Sequence, residues 1–401
     1  MKKILCKIKR QKTNIFLSLV FAIFISIGCY FINNCPYPFW DKLGLYSKLE
    51  FLLRNLASSD FDAEDVVFID ISYDKQIADY FYDEGFNKGT IAVTDREKLI
   101  RYLSILKNSN YNFIFLDVRF EEGVHAHQDT VLADLLKKMP RLLYSKHSNI
   151  ETNKMFISEK AAINDYFTTI TSTNFTRYPF LQNDSASAPL RLYLETHPKA
   201  KPIKRHGIFY TCGGSLCQNS PFMTIPVDFK STFVGTGANF HYLGSDYFDQ
   251  DNQDNQELRV TDKDMQADAN DKIVIIGDFI SDLHDTYAGL QPGSFLVYLA
   301  YKELVNGKHL LAWPFISFMI IVYFLISIFI LNNKSLWDFV PVIKKVKSKL
   351  LLFILNLFGY STVLSIVTIL MYLGFRTTYN IVFPSLFFSI LSTIISYKKV
   401  A

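Results

Sequence analysis

The apolar positions of this chain follow two patterns. Four runs carry no acidic or basic side chain, at 15–32, 310–331, 350–373 and roughly 379–397. A helix of about 20 apolar residues crosses a bilayer, so these runs predict one N-terminal and three C-terminal transmembrane helices. Pro384 interrupts the last of them. Between the ends the apolar runs are short and alternate with amphipathic segments. Residues 66–71 and 113–118 are brief apolar stretches with β-branched residues, read as buried strands, with further strands expected at 141–145 and 272–278. Thr94 and Glu97 have capping-box spacing ahead of a helix that places Leu99, Ile100, Leu103 and Leu106 on one face. Further helices are expected at 129–138 and 294–305. Strands alternating with helices imply right-handed crossovers and a parallel sheet covered on both faces. The fold class is an α/β extracytoplasmic domain with a mostly parallel sheet, joined to an α-helical transmembrane region. The stretch 150–270 shows only scattered apolar runs, and 250–271 reads as a polar surface loop.

Charge turns this pattern into a topology. The net charge is +4, yet residues 1–33 hold six Lys or Arg and no acid, and residues 310–401 hold eight against one Asp. Residues 34–309 therefore carry the acidic balance, 37 acids against 28 bases. Basic residues collect on the cytoplasmic side of membrane spans. Thirteen of the 14 basic residues flanking the spans fall on one side, with Arg376 alone opposite. The expected order is a basic cytoplasmic N-terminus (1–14), helix 15–32, an outer domain (34–309), helix 310–331, a basic cytoplasmic loop (332–349), helices 350–373 and 379–397, and a cytoplasmic tail (398–401). The basic residues sit in membrane-flanking clusters rather than on a folded face, which argues against a nucleic-acid partner. Oxidising compartments permit disulfides, and the spacing of Cys212 and Cys217 around Gly213 and Gly214 makes them the disulfide candidate.

Chemistry in the outer domain centres on acids. Ligands of open parallel sheets sit beyond the carboxyl ends of the strands, and Asp70, Asp117 and Asp278 each close a predicted strand. Carboxylates brought together there need a cation or a proton. Arg96, in a first helical turn where the dipole disfavours it, is the expected partner of Asp70 and Asp117. Asp282, His284 and Asp285 form a compact acid, imidazole, acid cluster. Three readings stay open for Asp70, Asp117, Asp278 and Arg96: a structural network, a site for a small ligand or divalent cation, and catalysis; for Asp282, His284 and Asp285 the readings are help in binding a metal and loop acids satisfied by nearby backbone amides. No other cofactor is expected. A Gly-rich phosphate loop, a Ser nucleophile elbow and a zincin His-Glu pair are missing from the sequence, so no enzyme is expected.

In order along the chain, Asp70 at a strand end, Arg96 at a helix start, Phe115-Leu116-Asp117 followed by Phe120, the strand 273–277, Asp285, Pro292-Gly293 and the membrane runs just after resemble a CHASE2 domain, an extracytoplasmic sensory module of bacterial membrane receptors. The resemblance covers about 41–309 without motif support in its middle third. It departs from the family after Pro292-Gly293, where Ser294-Phe295 replace a frequent His-Ala pair, and at the end of the chain, where members usually continue into an effector domain. It implies a sensory component of a bacterial inner membrane that responds to a ligand or partner and signals through a separate protein carrying the effector function, with homo-oligomer formation open. The alternative expectation is a non-enzymatic envelope assembly platform.

Overall fold

The computed structural model of the protein describes residues 2–34, 64–81, 86–156, 158–165, 175, 177–221, 223–225, 241–244, 261–334, 336, 348–375, 377 and 380–400. Two compact units emerge. One gathers Met1–Leu43, Ile203–Phe222 and Lys308–Ala401; the other gathers Gly44–Pro202 and Met223–Gly307.

The second unit is an α/β domain. Its strands are β1 (Val66–Asp70), β2 (Lys75–Phe81), β3 (Asn87–Thr94), β4 (Phe113–Leu116), β5 (Val124–His125), β6 (Leu142–Lys146), β7 (Ala161–Ile163), β8 (Leu181–Gln182) and β9 (Ser185–Ala186). After the excursion 203–222 come β13 (His241–Gly244), β14 (Ile273–Gly277), β15 (Leu283–Thr286) and β16 (Gly289–Pro292). Its helices are α2 (Arg96–Leu106), α3 (Asp129–Lys138), α4 (Ala188–Thr196), α5 (Asp262–Ala269) and α6 (Gly293–Val305).

Six strands form one sheet in the order β13-β1-β14-β4-β6-β7, every pairing parallel. The last of them in sequence, β14, lies between β1 and β4. All five residues of β14 are buried, and a strand with neighbours on both edges and helices on both faces suits such a run. Each fully buried Val or Ile contributes roughly 1.5–3 kcal/mol. One face packs Val67, Ile114, Leu116 and Val274 against Leu99 and Leu103 of α2, Leu132 and Leu136 of α3 and Met265 of α5. On the other face Phe68 meets Phe295 and Tyr298 of α6 edge-on, at centroid distances of 5.9 and 5.5 Å.

Local signals differ from the sequence reading in two places. Helix α2 is capped by Asp95, whose side chain accepts from the backbone amides of Glu97 and Lys98, so the Thr94 and Glu97 capping box is not used. Within the stretch expected as a polar loop, Thr261 and Asp264 form a complete capping box that opens α5. Only Met265 and Ala269 of α5 are buried, too few apolar positions for a helical period to stand out. The remainder of that expected loop, 250–260, lies outside the described residues.

The first unit holds α1 (Lys2–Asn33), α7 (Trp313–Leu331), α8 (Lys349–Phe375) and α9 (Val382–Val400). Three helices are long and apolar enough to cross a membrane: Gln11–Asn33, Trp313–Leu331 and Lys349–Phe375. The fourth expected span forms a helix whose apolar part, Val382–Ser396, is shorter than these. Pro384 does not break it. The residue lies in the first turn, where a proline's missing N–H has no intrahelical acceptor to lose. Polar side chains join the helices, as Asn14 Nδ2 to the Leu331 carbonyl at 3.1 Å and Asn356 Nδ2 to Thr393 Oγ1 at 3.1 Å. Most of the expected basic loop at 332–349 lies outside the described residues.

The same unit takes a piece of the sequence expected in the outer domain. Strands β10 (Ile203–His206), β11 (Phe209–Cys212) and β12 (Ser215–Cys217) form an antiparallel meander. The Tyr30 hydroxyl of α1 donates to the Cys217 carbonyl at 2.7 Å and accepts from the Tyr210 amide at 2.8 Å, while its ring stacks on Phe209.

The expected disulfide is corrected by the register of this meander. Cys212 faces Ser215 across the ladder and Cys217 faces Tyr210, so the two cysteines are diagonal neighbours, and they are not joined in a disulfide. Diagonal positions are about 7–8 Å apart, beyond the Cα separation a disulfide spans without backbone movement. Alkylation of the denatured, non-reduced protein followed by peptide mass spectrometry should therefore label Cys212 and Cys217. A linked 212–217 peptide would contradict this register.

Candidate functional site

All six parallel strands end on one side, and the residues just past those ends gather there. Asp117 follows β4. Its carboxylate accepts from Ser145 Oγ at 2.5 Å, Asn164 Nδ2 at 2.9 Å and Ser294 Oγ at 2.8 Å. These donors come from β6, from the residue after β7 and from the first turn of α6. The packing is close enough to require glycine at 277, because a Cβ there would lie 1.9 Å from Ser294 Oγ and 3.2 Å from the Asp117 Cβ.

Beside Asp117 opens a small cleft of about 30 Å³, lined among others by Arg119, His147, Asn164, Tyr178, Asp282 and His284. His147 Nδ1 lies 2.6 Å from Asp165 Oδ1, and His284 Nε2 lies 3.3 Å from Asp282 Oδ1. Tyr178 donates its hydroxyl proton to Asn164 Oδ1 at 2.6 Å. Phe175, with its ring centroid 5.9 Å from that of Tyr178, completes an aromatic wall. Glycine is needed at 293 as well, since a Cβ would fall 2.4 Å from Asp282 Oδ2 and 2.9 Å from His284 Nε2. The Pro292-Gly293 pair thus starts α6 while giving the acid and imidazole room against it.

Burial and the neighbouring Asp282 charge raise the Asp117 carboxyl above its usual range, opposed by the Ser145 and Ser294 hydrogen bonds and the Arg119 charge. Burial, then the charges of Asp117 and Asp165, drive the Tyr178 phenol well above its ordinary value. This wall therefore holds Tyr178 as a neutral donor.

Of the seven residues expected to carry chemistry, the cleft brings together Asp117, Asp282 and His284. The other four go elsewhere. Asp70 accepts from the Ser72 amide at 2.9 Å, from the Ser72 hydroxyl and from the Phe279 amide at 3.2 Å, tying two loops together. Asp278 accepts from the Ile280 and Ser281 amides and the Ser281 hydroxyl and pairs with Lys75 at 3.0 Å. Asp285 is exposed, because β15 alternates and turns His284 and Thr286 inward instead. Arg96 does meet a buried carboxylate, but it is Asp129 at 2.8 Å, with Phe120 under the guanidinium at 4.9 Å. The expected network of Arg96 with Asp70 and Asp117 is not formed. Asp129 is bound to Arg96 Nε by one oxygen and to the Ala126 amide by the other, so α3 starts on a carboxylate that serves α2. Among the described residues, no group of three or more His, Cys, Asp or Glu side chains is arranged to hold a metal ion.

The sequence reading did not single out Arg119, Ser145, His147, Asn164, Asp165, Phe175, Tyr178 or Ser294. A signal existed for several: Ser145 and His147 lie at or just past the end of β6, and Asn164 and Asp165 directly follow β7. No protein-family model, curated protein or solved structure matches the chain.

Two stability measurements follow. Arg96 and Asp129 have side chains only 2% and 7% exposed, and removing one partner of a buried pair costs about 3–5 kcal/mol. Arg96→Ala should destabilise the full chain by that amount in denaturant titration, with Asp129→Asn restoring part of it. Strict additivity in the double-mutant cycle would show that the pair is not coupled.

Acid and base should act on Asp117 and Asp278 with opposite sign. Asp117 has a raised folded-state pKa, so its contribution is complete below the ordinary value of 3.8 and is lost as pH rises. For Asp278, burial acts upward but the Ser281 side-chain and backbone bonds, with Lys75 and Ser72, hold the carboxyl well below 3.8. Its contribution is present above that value and lost as pH falls. Melting temperature against pH should lose its neutral-side decline in Asp117→Asn and its acid-side decline in Asp278→Asn. Unchanged profiles in both variants would refute the assignment.

Proposed function

We propose that the chain is a membrane-anchored sensor whose α/β domain lies outside the cytoplasmic membrane, binds a small ligand in the strand-end cleft and signals through a separate protein. The observation that carries this reading is the double role of α6. Its first turn supplies Gly293 and Ser294 to the site, and in sequence its last turn is followed, across 306–312, by the membrane-length helix α7. A ligand that alters the Asp117 and Ser294 contact acts on the start of a helix whose end leads directly to a membrane segment. Three membrane-length helices and the basic flanks support the inner-membrane placement. The resemblance to CHASE2 sensory modules supports the same role.

An assembly platform is the second reading, and one feature favours it. Strand β3 is an edge of the β3-β2-β5 sheet with its first six residues exposed, and Ile77 and Phe86 beside it are 69% and 68% exposed. Such an edge offers unpaired backbone groups to a partner's strand.

The sensor reading is tested by Gly293→Ala, which forces Asp282 and His284 away from α6. Hydrogen exchange on the full chain in lipid nanodiscs should change in 306–312 as well as around 282–293. A change confined to 282–293 would refute coupling to the membrane segment. Reporter fusions at Asn149 and after Ala401 should place the first outside and the second inside; a cytoplasmic signal at Asn149 would sink the topology.

A further inference from the structure

Hydrogen bonds define the open edge of the β3-β2-β5 sheet. The Asp95 amide donates to the Asp74 carbonyl at 2.9 Å, and the register pairs Lys75 with Thr94, Ile77 with Ala92 and Asp79 with Thr90. Antiparallel ladders alternate between bonded and non-bonded pairs, so these three pairs are non-bonded. Thr90, Ala92 and Thr94 therefore turn their backbone N–H and C=O groups away from β2. The Phe81 amide, which donates to the Gly123 carbonyl on the β5 side at 2.8 Å, follows the same alternation. Thr90 and Ala92 are exposed. The Thr94 carbonyl accepts from Arg96 Nη1 at 3.2 Å, while its N–H faces the edge.

The strand carries no guard of its own. Proteins blunt exposed edges with charge or proline, yet residues 89–94 contain neither. The one charged residue of β3, Lys88, sits in the bulge where the register shifts, and its ammonium turns back over the Tyr80 ring at 4.3 Å. The edge is also self-complementary. With a twofold axis at Ala92, antiparallel pairing of two β3 strands sets Ala92 beside Ala92, Thr90 beside Thr94 and Ile91 beside Val93. Such small and β-branched cross-strand pairs favour association, and no like charges meet. Each Ala92 exchanges N–H and C=O bonds with its counterpart, and each Thr94 N–H reaches the Thr90 carbonyl of the other copy. Moving the axis to Thr90 would bring Lys88 opposite Ala92 and run the pairing into the bulge, so the strand itself selects the register.

We infer that the β3 edge pairs with the β3 edge of a second copy of this chain, joining two three-stranded sheets into one across a twofold axis at Ala92. Ile77 and Ala92 share a face, so the paired copies carry a continuous apolar row in which the exposed Ile77 side chains flank the two alanines. The strand contact is small, but membrane-length helices confine the copies to a plane, and confinement raises the effective concentration at which a weak contact holds. The inference is independent of the ligand reading of the cleft, which lies at the ends of the six-stranded sheet. It gives the exposed edge to a second copy rather than to another protein.

The test is cysteine cross-linking of the full chain in liposomes of phosphatidylcholine and phosphatidylglycerol, with copper phenanthroline as oxidant and the unsubstituted protein as baseline. Bonded antiparallel pairs have Cα atoms about 5.5 Å apart, within disulfide reach, so Ala92→Cys should give a covalent dimer well above baseline. Thr90→Cys alone should not, because the two copies of that position lie roughly 13 Å apart along the strands. Mixing Thr90→Cys with Thr94→Cys copies should restore the cross-link. Ala92→Lys, a substitution at an exposed position, sets two ammonium groups side by side at the axis, where like charges are destabilising. It should keep the wild-type melting temperature and weaken the dimer about tenfold or more, read by single-molecule photobleaching over a range of protein densities in the liposomes. Cross-linking of Ala92→Cys no stronger than that of Thr90→Cys would overturn the inference, as would a wild type that is monomeric at every density or a dimer indifferent to Ala92→Lys. None of these results bears on the hydrogen exchange of Gly293→Ala, so the sensor reading stands or falls separately.

Discussion

The cost of burying a parallel sheet on both faces shapes the α/β unit. A strand such as β14 can sit in the middle only if every backbone group is paired along its edges and helices cover both faces. Parallel pairing then obliges each connection to travel back over a face, and every strand ends on the same side. The polar residues that stop the apolar runs collect there for that reason. Asp117, Ser145, Asn164 and Ser294 come from four separate segments, yet their side chains meet because the backbone ladder has already placed their starting points in a row. The cage around Asp117 offsets part of a desolvation that would otherwise drive the group to its neutral form.

Much of the sheet could be read from sequence because strand formation here follows apolar content. The runs that became β1, β4, β6 and β14 are almost wholly buried, and a doubly covered strand has no polar face to confuse the pattern. The placement of β14 between β1 and β4 could not be read, since pairing order depends on the whole set of crossovers. Acids at strand ends were legible by position, but their partners were not. Arg96 needed a carboxylate, and which one it found depends on where α3 begins relative to α2, a matter of helix packing. His147, Asn164 and Tyr178 lie in a polar part of the sequence with no period to mark them. They become visible only once β6 and β7 are known to end beside β4.

Two glycines show why small residues at such a site carry information that charge does not. Gly277 admits a serine hydroxyl to a carboxylate, and Gly293 leaves space for an acid and an imidazole beside a helix start. Neither position has a left-handed backbone. Both are set by the room a Cβ would occupy, so they constrain the site as firmly as the side chains that line it.

The first unit is drawn from three separated lengths of chain, and that has a kinetic consequence. Asn14 of α1 bonds to Leu331 across 317 residues of sequence, and Tyr30 to Cys217 across 187. During synthesis α1 emerges first and its helical neighbours emerge last, after the whole α/β unit. For that interval α1 has none of its later helical partners, and closing so long a loop adds an entropic cost that grows only slowly with length. The meander at 203–217 reaches α1 earlier than α7 does, and its hydrogen bonds to Tyr30 give the waiting helix a first tertiary anchor. Order along the chain therefore offers α1 this short β-sheet as a partner before any of the helices that pack on it has been made.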